Sequence, residues 1–124
     1  MGKVLYLIVG GAAGTLARYY LVGTVYHKLG ANFPFGTLLV NLTGCFLVGL
    51  FSTTINDKFF FGPDSKTLLM AGFCGSYTTF SALMLETSNL MVDGEMFGAL
   101  VNVVASVVAG FIFLRLGVLA GNLI

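Results

Sequence analysis

The sequence predicts an all-α membrane protein in which four transmembrane helices form a single integral membrane domain over residues 1–124. Composition is one reason: 57% of the residues are hydrophobic and 9% are charged, whereas a soluble domain is about half apolar and about a quarter charged. The mean hydropathy of +0.97 agrees. The second reason is pattern: a bilayer span needs about 20 apolar residues, and four such windows cover about residues 4–26, 36–56, 67–92 and 96–122.

The first predicted span carries packing glycines and one charge. Gly10 and Gly14 form a small-xxx-small pair, which lets helix backbones approach closely. Arg18 lies toward the end of the span, and two interpretations stay open: its guanidinium either snorkels to the interface or caps backbone carbonyls. The span is too long for a cleavable signal peptide and lacks a small-residue cleavage site.

The second predicted span contains Gly44, Gly49 and one strongly polar side chain, Asn41, about a turn and a half from its start. Lipid cannot satisfy an amide, so Asn41 should face protein or a water-filled path. Its amide offers two donors and an acceptor. A hydrogen bond to another helix, worth about 1 kcal/mol, and a functional role are equal alternatives.

The third predicted span is interrupted by GFCGSYTTFS, residues 72–81, in which residues 75–79 have poor helix propensity. Good helix formers flank them, so we expect two half-helices joined by a break at mid-membrane. A break in lipid frees backbone groups, which must be covered by protein or bound to an ion. Freed carbonyls suit a hard cation such as Na⁺, and half-helix N-termini suit an anion. The alternative is a continuous helix whose hydroxyls bond to the preceding turn.

The fourth predicted span carries a short polar stripe. Asn102 and Ser106 are four residues apart and share one helix face, which Gly110 continues one turn later. The stripe indicates either a lined path or structural hydrogen bonds between helices. Glu86, about two turns beyond the expected break, likewise has either a structural partner or a transport role.

The remaining features exclude several functions. Cys45 and Cys74 lie inside spans and are interpreted as buried free thiols, and the chain has no metal-ligand spacing. A net charge of +1 gives no excess of basic residues of the kind that binds nucleic acid. Because no soluble domain is predicted outside the spans, we expect no large catalytic pocket and predict that the protein is not an enzyme.

The lysines are divided only weakly between the two sides of the membrane. Lys3, Lys58 and Lys66 lie on one side and Lys28 on the other. Since Lys and Arg set orientation, such a chain could insert both ways up and form an antiparallel pair. Four helices enclose too little volume for both a pore and a covered break. A dimer in which two breaks cross would present several carbonyls to one central cation.

Three motifs follow one another along the spans. They are Gly10-Gly11-x-x-Gly14 with Arg18-Tyr19, Gly36-Thr37-Leu38-x-Val40-Asn41, and Gly72-Phe73-Cys74-Gly75 followed by Thr78-Thr79-Phe80-Ser81 and Glu86. Together they resemble the Fluc (CrcB) family of fluoride channels, and the resemblance covers all four spans in order. The third motif is specific, whereas glycine pairs alone would be a weak signal.

The resemblance implies a fluoride-selective ion channel that exports cytoplasmic F⁻ passively and so gives fluoride resistance. It implies a dual-topology antiparallel homodimer with two pores, a multi-pass protein of the prokaryotic inner (plasma) membrane. It also implies a structural Na⁺ at the dimer axis, held by the backbone carbonyls of Gly75 and Thr78.

The resemblance also implies roles for individual side chains. Asn41 and Ser106 are hydrogen-bond donors to F⁻, and Phe80 is an aromatic wall whose positive ring edge can meet an anion. The other predicted pore residues are Thr37, Leu83 and Asn102, and the residues with structural or coupling roles are Arg18, Thr79, Ser81 and Glu86.

The chain departs from the family pattern at Leu83. This residue stands where family members typically carry a second phenylalanine, and it offers no ring edge. One explanation is that the chain pairs with a different homologous chain and forms one half of a heterodimeric fluoride channel. Ser76 replaces the usual second glycine of the third motif, which weakens the break slightly.

Two other functions compete with the channel. A proton-coupled exporter of the small multidrug resistance type also has four short spans, but it needs a mid-membrane carboxylate in the first span, which has no acid. A non-transporting assembly subunit would explain the small packing residues but not the break with its hydroxyls.

Overall fold

The chain folds into helices of membrane-spanning length. The computed structural model describes residues 2–58 and 64–124, and within these ranges it contains no strand. In chain order the elements are α1 (Gly2–Leu29), α2 (Phe35–Lys58), a π-helix (Lys66–Cys74), α3 (Gly75–Tyr77), α4 (Phe80–Val92) and α5 (Met96–Leu123). The π-helix, α3 and α4 together form the third long segment. The prediction of an all-α chain with four helices long and apolar enough to cross a membrane is confirmed.

Helical geometry stops within the third segment, between α3 and α4. Thr78 has φ −87° and ψ 156°, and Thr79 has φ −150° and ψ 119°, so both residues are extended. Thr79 then caps α4, because its Oγ1 accepts a hydrogen bond from the Ala82 N–H at 3.2 Å. The two extended residues lie in the stretch 75–79, where helix propensity is poor.

A glycine with positive φ lies in the connection that follows α1, and another lies in the connection that follows α4. Gly30, at φ 80°, follows α1, and its N–H donates to the Tyr26 carbonyl at 2.9 Å. Gly94, at φ 84°, lies in the short connection between α4 and α5. Glycine adopts this left-handed conformation without steric cost. A connection of three residues therefore joins the end of α4, at Val92, to the start of α5, at Met96.

Glycines bring the backbone of α1 against the third segment. A Cβ added at Gly10 would collide with the carbonyl oxygen of Leu68 in the π-helix, and one at Gly14 would collide with the carbonyl oxygen of Phe73. Backbone atoms cannot swing aside as side chains do, so these two positions require glycine. The small-xxx-small pair of the first span therefore forms a close helix crossing.

A second close crossing joins α2 to α5. A Cβ at Gly49 would collide with the carbonyl oxygen of Leu114, and one at Gly117 would collide with that of Phe46. The sequence analysis did not single out Gly117. A Cβ at Gly98, by contrast, would meet nothing closer than 3.7 Å, so that glycine is not needed for close approach.

A single chain buries little of its apolar surface. The largest fully enclosed side chains are those of Val40, Cys74 and Asn102. Between 11% and 33% of each spanning window is buried, and large apolar side chains of α1 and α5 are exposed. Such a surface suits lipid or another membrane-embedded chain, where no hydrophobic cost arises.

Candidate functional site

The interruption between α3 and α4 is held by side chains of α2. The Asn41 Nδ2 donates to the Thr79 carbonyl at 3.1 Å, and the Thr79 N–H donates to the Asn41 Oδ1 at 2.8 Å. Two residues further along α2, the Thr43 Oγ1 lies 2.8 Å from the Tyr77 hydroxyl. The extended backbone therefore finds partners that a helix would have supplied internally.

Two further residues fit the interruption into the bundle. Gly44 of α2 leaves room for it, because a Cβ at that position would collide with the Thr78 Cγ2 methyl. Arg18 of α1 donates from Nε to the Ser76 carbonyl at 3.1 Å. In a continuous helix that carbonyl would accept from the N–H of Phe80. The structure therefore shows the second interpretation of Arg18, in which the guanidinium caps a backbone carbonyl.

Two carbonyl oxygens at the interruption lose their helical donors. In a continuous helix the Gly75 oxygen would accept from the Thr79 N–H, and the Thr78 oxygen from the Ala82 N–H. The Thr79 N–H donates to Asn41 instead, and the Ala82 N–H donates to the Thr79 Oγ1. These are the two carbonyls for which the sequence analysis expects a cation.

A cavity of about 320 Å³ lies beside the interruption, among α2, α4 and α5. We call it the inner cavity; it is lined by Asn41, Cys45, Val48, Thr78, Thr79, Phe80, Leu83, Ser106, Val107 and Leu114. It brings together the predicted pore residues Asn41, Phe80, Leu83 and Ser106. Thr37 and Asn102, also predicted at the pore, are not among the residues that line it.

Phe80 and Leu83 contribute to the inner cavity in different ways. The Phe80 side chain is 73% exposed in a single chain, whereas Leu83 is 6% exposed. The ring is therefore free to contact both the cavity and a neighbouring molecule, while Leu83 forms an aliphatic part of the wall. Ser81 is exposed and does not line the cavity; its Oγ lies 3.5 Å from the Thr79 Oγ1.

The two polar residues of the stripe on α5, Asn102 and Ser106, have different neighbours. Ser106 is among the residues that line the inner cavity, and its Oγ is buried with no hydrogen-bond partner among the described residues. Asn102 is fully buried, and its Nδ2 donates to the Thr87 Oγ1 at 3.0 Å. Thr87 in turn donates to the Leu83 carbonyl at 2.7 Å. Asn102 thus ties α5 to α4, while Ser106 is one of the residues that line the cavity.

Cys45 is half-buried and lines the inner cavity, so the interpretation of this residue as a buried thiol is wrong. It is a free cysteine one turn after Asn41, and the spacing of four residues is the signal that places both on one helix face. A Cβ added at Gly110 of α5 would lie 3.5 Å from the Cys45 Sγ. Cys74 is free and 2% exposed, as the buried-thiol interpretation requires.

A second cavity lies on the α1 side of the interruption. Its volume is about 540 Å³, and its lining includes Arg18, Thr37, Thr79 and Glu86; we call it the outer cavity. The Thr37 Oγ1 donates to the Glu86 Oε1 at 2.6 Å, and the Glu86 Oε2 is buried without a partner among the described residues. Thr79 is the residue that lines both cavities.

Comparisons with known proteins cover nearly the whole chain. The family model described as "CrcB-like protein, Camphor Resistance (CrcB)" matches residues 5–118. A protein of Geotalea daltonii named "Fluoride-specific ion channel FluC" is 41% identical over 124 residues, which is 100% of both chains. Proteins of the same name from Solidesulfovibrio magneticus and Desulforapulum autotrophicum are 39% and 40% identical over 122 residues, 98% of each chain.

These matches bear directly on two predictions. The relatives are named as ion channels, which agrees with the prediction that this chain is not an enzyme. The family match and the level of identity confirm the resemblance seen in the motifs of the spans. This chain belongs to the CrcB family.

Proposed function

We propose that this chain forms a fluoride-selective channel through which cytoplasmic F⁻ leaves the cell passively. The main observation behind the proposal is the inner cavity, which Asn41, Phe80 and Ser106 all line. The relatives support the choice of ion, since each is named a fluoride-specific ion channel.

The inner cavity offers what a small anion needs when it loses its water. The buried Ser106 hydroxyl has no partner among the described residues, so its proton is not committed to another group of the protein, and a rotation of the side chain toward the cavity would offer it to an ion. Asn41 retains one N–H beyond the one that it gives to Thr79. The edge of the Phe80 ring carries partial positive charge and attracts an anion. Together these groups replace hydrogen bonds that the ion made to water.

The outer cavity is a suitable entrance for an anion. Arg18 lines it, and the guanidinium has further N–H donors beyond the Nε that is bonded to Ser76. Glu86 lines the same cavity, so the entrance holds an acidic side chain as well as the guanidinium, and the guanidinium N–H groups rather than a net positive charge would attract the anion. In the proposed path F⁻ enters the outer cavity and passes Thr79 into the inner cavity.

The proposed assembly is a dual-topology antiparallel homodimer with two pores. Gly75 and Ser81 are exposed next to the interruption, and the Phe80 side chain is 73% exposed. Backbone and hydroxyl groups released by a mid-membrane break cannot be left to lipid. A second copy would cover them, and the weak lysine asymmetry allows the two copies to insert in opposite orientations.

A structural Na⁺ at the dimer axis is part of the proposal. The carbonyls of Gly75 and Thr78 have lost their helical donors to Asn41 and Thr79, and hard cations prefer oxygen ligands. Two copies would offer this pair of oxygens twice around the axis. When bound, the cation supplies a buried positive charge that favours a nearby anion.

The cellular setting follows from the same proposal. Residues 1–124 form one multi-pass domain of the prokaryotic inner (plasma) membrane, and the four apolar helices support this placement. Export of F⁻ across that membrane would give the cell fluoride resistance.

Leu83 favours a second assembly, in which the chain is one half of a heterodimeric fluoride channel. Its side chain lines the inner cavity, yet an aliphatic group has no positive edge with which to meet an anion. A homologous partner with a phenylalanine at the matching position would supply that edge.

Fluoride efflux from liposomes that contain only the purified chain tests the proposal. The liposomes are loaded with potassium fluoride, a K⁺ diffusion potential is set, and a fluoride electrode follows release. We expect rapid release of F⁻ and little release of Cl⁻. Release that requires a co-reconstituted homologue would support the heterodimer. Drug-linked proton exchange that disappears in Glu86→Gln, without fluoride efflux, would replace the channel with the exporter.

A further inference from the structure

The Asn41 carboxamide directs most of its hydrogen-bonding capacity to backbone rather than to the inner cavity. Its Oδ1 accepts from the Thr79 N–H at 2.8 Å, and its Nδ2 donates to the Thr79 carbonyl at 3.1 Å. These partners also fix the orientation of the amide, since the N–H needs an acceptor and the carbonyl needs a donor. A side-chain amide has two N–H groups, so one remains for an ion.

Thr79 can be held in this way only because its backbone is extended. At φ −150° and ψ 119°, the N–H and C=O of one residue point to the same side, as in a residue of a strand pair. One planar amide can then meet both groups. In an α-helix the N–H and C=O of a residue point in opposite directions along the axis, so the pair stabilises the extended state over a continuous helix.

Neighbouring groups of α2 fit the same conformation. Thr43 is 2.8 Å from the Tyr77 hydroxyl, and Gly44 leaves space for the Thr78 methyl. All of these contacts lie within one chain. The interruption is therefore held by its own protomer, before any second copy or cation is considered.

Thr79 also determines where α4 begins. Its Oγ1 accepts from the Ala82 N–H, and Phe80 is the first residue of α4. We propose that Asn41 is a positioning residue: its amide clamps Thr79 in the extended state and thereby places the Phe80 ring at the inner cavity. What the ring meets there rests on the proposed function, whereas the clamp itself does not.

Hydrogen exchange of the Thr79 backbone N–H, followed by NMR in the full-length protein in lipid, tests the clamp. Asn41→Leu removes both hydrogen bonds at similar volume, and we expect Thr79 exchange to accelerate by about tenfold or more. The Phe80 ring resonances should shift at the same time. Ser106→Ala is the matched control for the exchange measurement, because Ser106 lines the same cavity without a bond to Thr79; it should leave Thr79 exchange unchanged.

The wild-type protein provides a second measurement that does not depend on a variant folding. Addition of fluoride should shift only one of the two Asn41 side-chain N–H resonances and leave Thr79 exchange unchanged. Equal shifts of both resonances, or Thr79 exchange in Asn41→Leu equal to that of wild type, would overturn the clamp. If fluoride shifts neither Asn41 N–H resonance, the result counts against the proposed function. The comparison of Thr79 exchange between wild type and Asn41→Leu still tests the clamp in that case.

Discussion

Replacement of Gly44 by alanine tests whether the contact between α2 and the interruption sets the conducting structure. An alanine Cβ would collide with the Thr78 Cγ2 methyl and lie 3.2 Å from the Tyr77 ring. Overpacking of this kind costs about 1–3 kcal/mol, while alanine in a helix gains about 1 kcal/mol over glycine. The net effect is a destabilisation of the interruption by up to about 2 kcal/mol. Since about 1.4 kcal/mol is tenfold in an equilibrium constant, a destabilisation of this size shifts the population away from the wild-type conformation of the interruption, and we expect fluoride flux to fall by up to about tenfold.

Thr78→Ser provides a rescue for this variant. Serine lacks the methyl that collides but keeps the hydroxyl, which donates to the Cys74 carbonyl at 3.0 Å. In liposome efflux at matched protein content, the double variant should regain most of the wild-type flux. Gly11→Ala is the control for glycine replacement as such, because no atom lies within 4 Å of a Cβ added there, and it should conduct like wild type. Wild-type flux in Gly44→Ala, or no recovery in the double variant, would refute the steric reasoning.

Three further substitutions address the inner cavity. Ser106→Ala should lower fluoride flux by about tenfold, since loss of a donor in a buried site costs about 1–3 kcal/mol; Ser52→Ala, whose hydroxyl bonds within its own helix to the Gly49 carbonyl, should have no effect in the same assay. Leu83→Phe should raise flux in the homodimer by adding a ring edge to the wall, and an unchanged rate would mean that this position does not touch the ion. Asn41→Asp should slow flux because a fixed carboxylate repels F⁻, and a wild-type rate would remove Asn41 from the path.

The poor helix propensity of residues 75–79 can be seen in local sequence, but the tertiary partners of this stretch cannot. Residues 75–79 form helices poorly, while Leu and Met on both sides form them well. That contrast is a property of neighbouring residues and needs no tertiary information. The pairing of Asn41 with Thr79 depends on the register between α2 and the third segment, which no local pattern encodes. Asn41 therefore stayed open between a structural and a functional role.

The packing and lining residues were only partly predictable. The spacing of Gly10 and Gly14 predicts one close crossing, and Gly117 with Gly121 has the same spacing in α5, which is a signal that could have predicted the second crossing. Cys45 was interpreted from its residue type alone, and its orientation toward the inner cavity follows from the packing of α2 on α5. Asn102 shares a helix face with Ser106, a predicted pore residue, but bonds to Thr87 of α4, because one turn of α5 is enough to change which helix a side chain meets.

The reversal potential of the purified chain in a planar bilayer tests most directly whether this chain alone conducts fluoride selectively. The two chambers hold a tenfold gradient of F⁻ and equal Cl⁻, with an impermeant ion for balance. A channel selective for F⁻ should reverse at about 59 mV, with the sign set by the fluoride gradient. A reversal potential near zero, or one that follows a chloride gradient when the two anions are exchanged, would contradict the account.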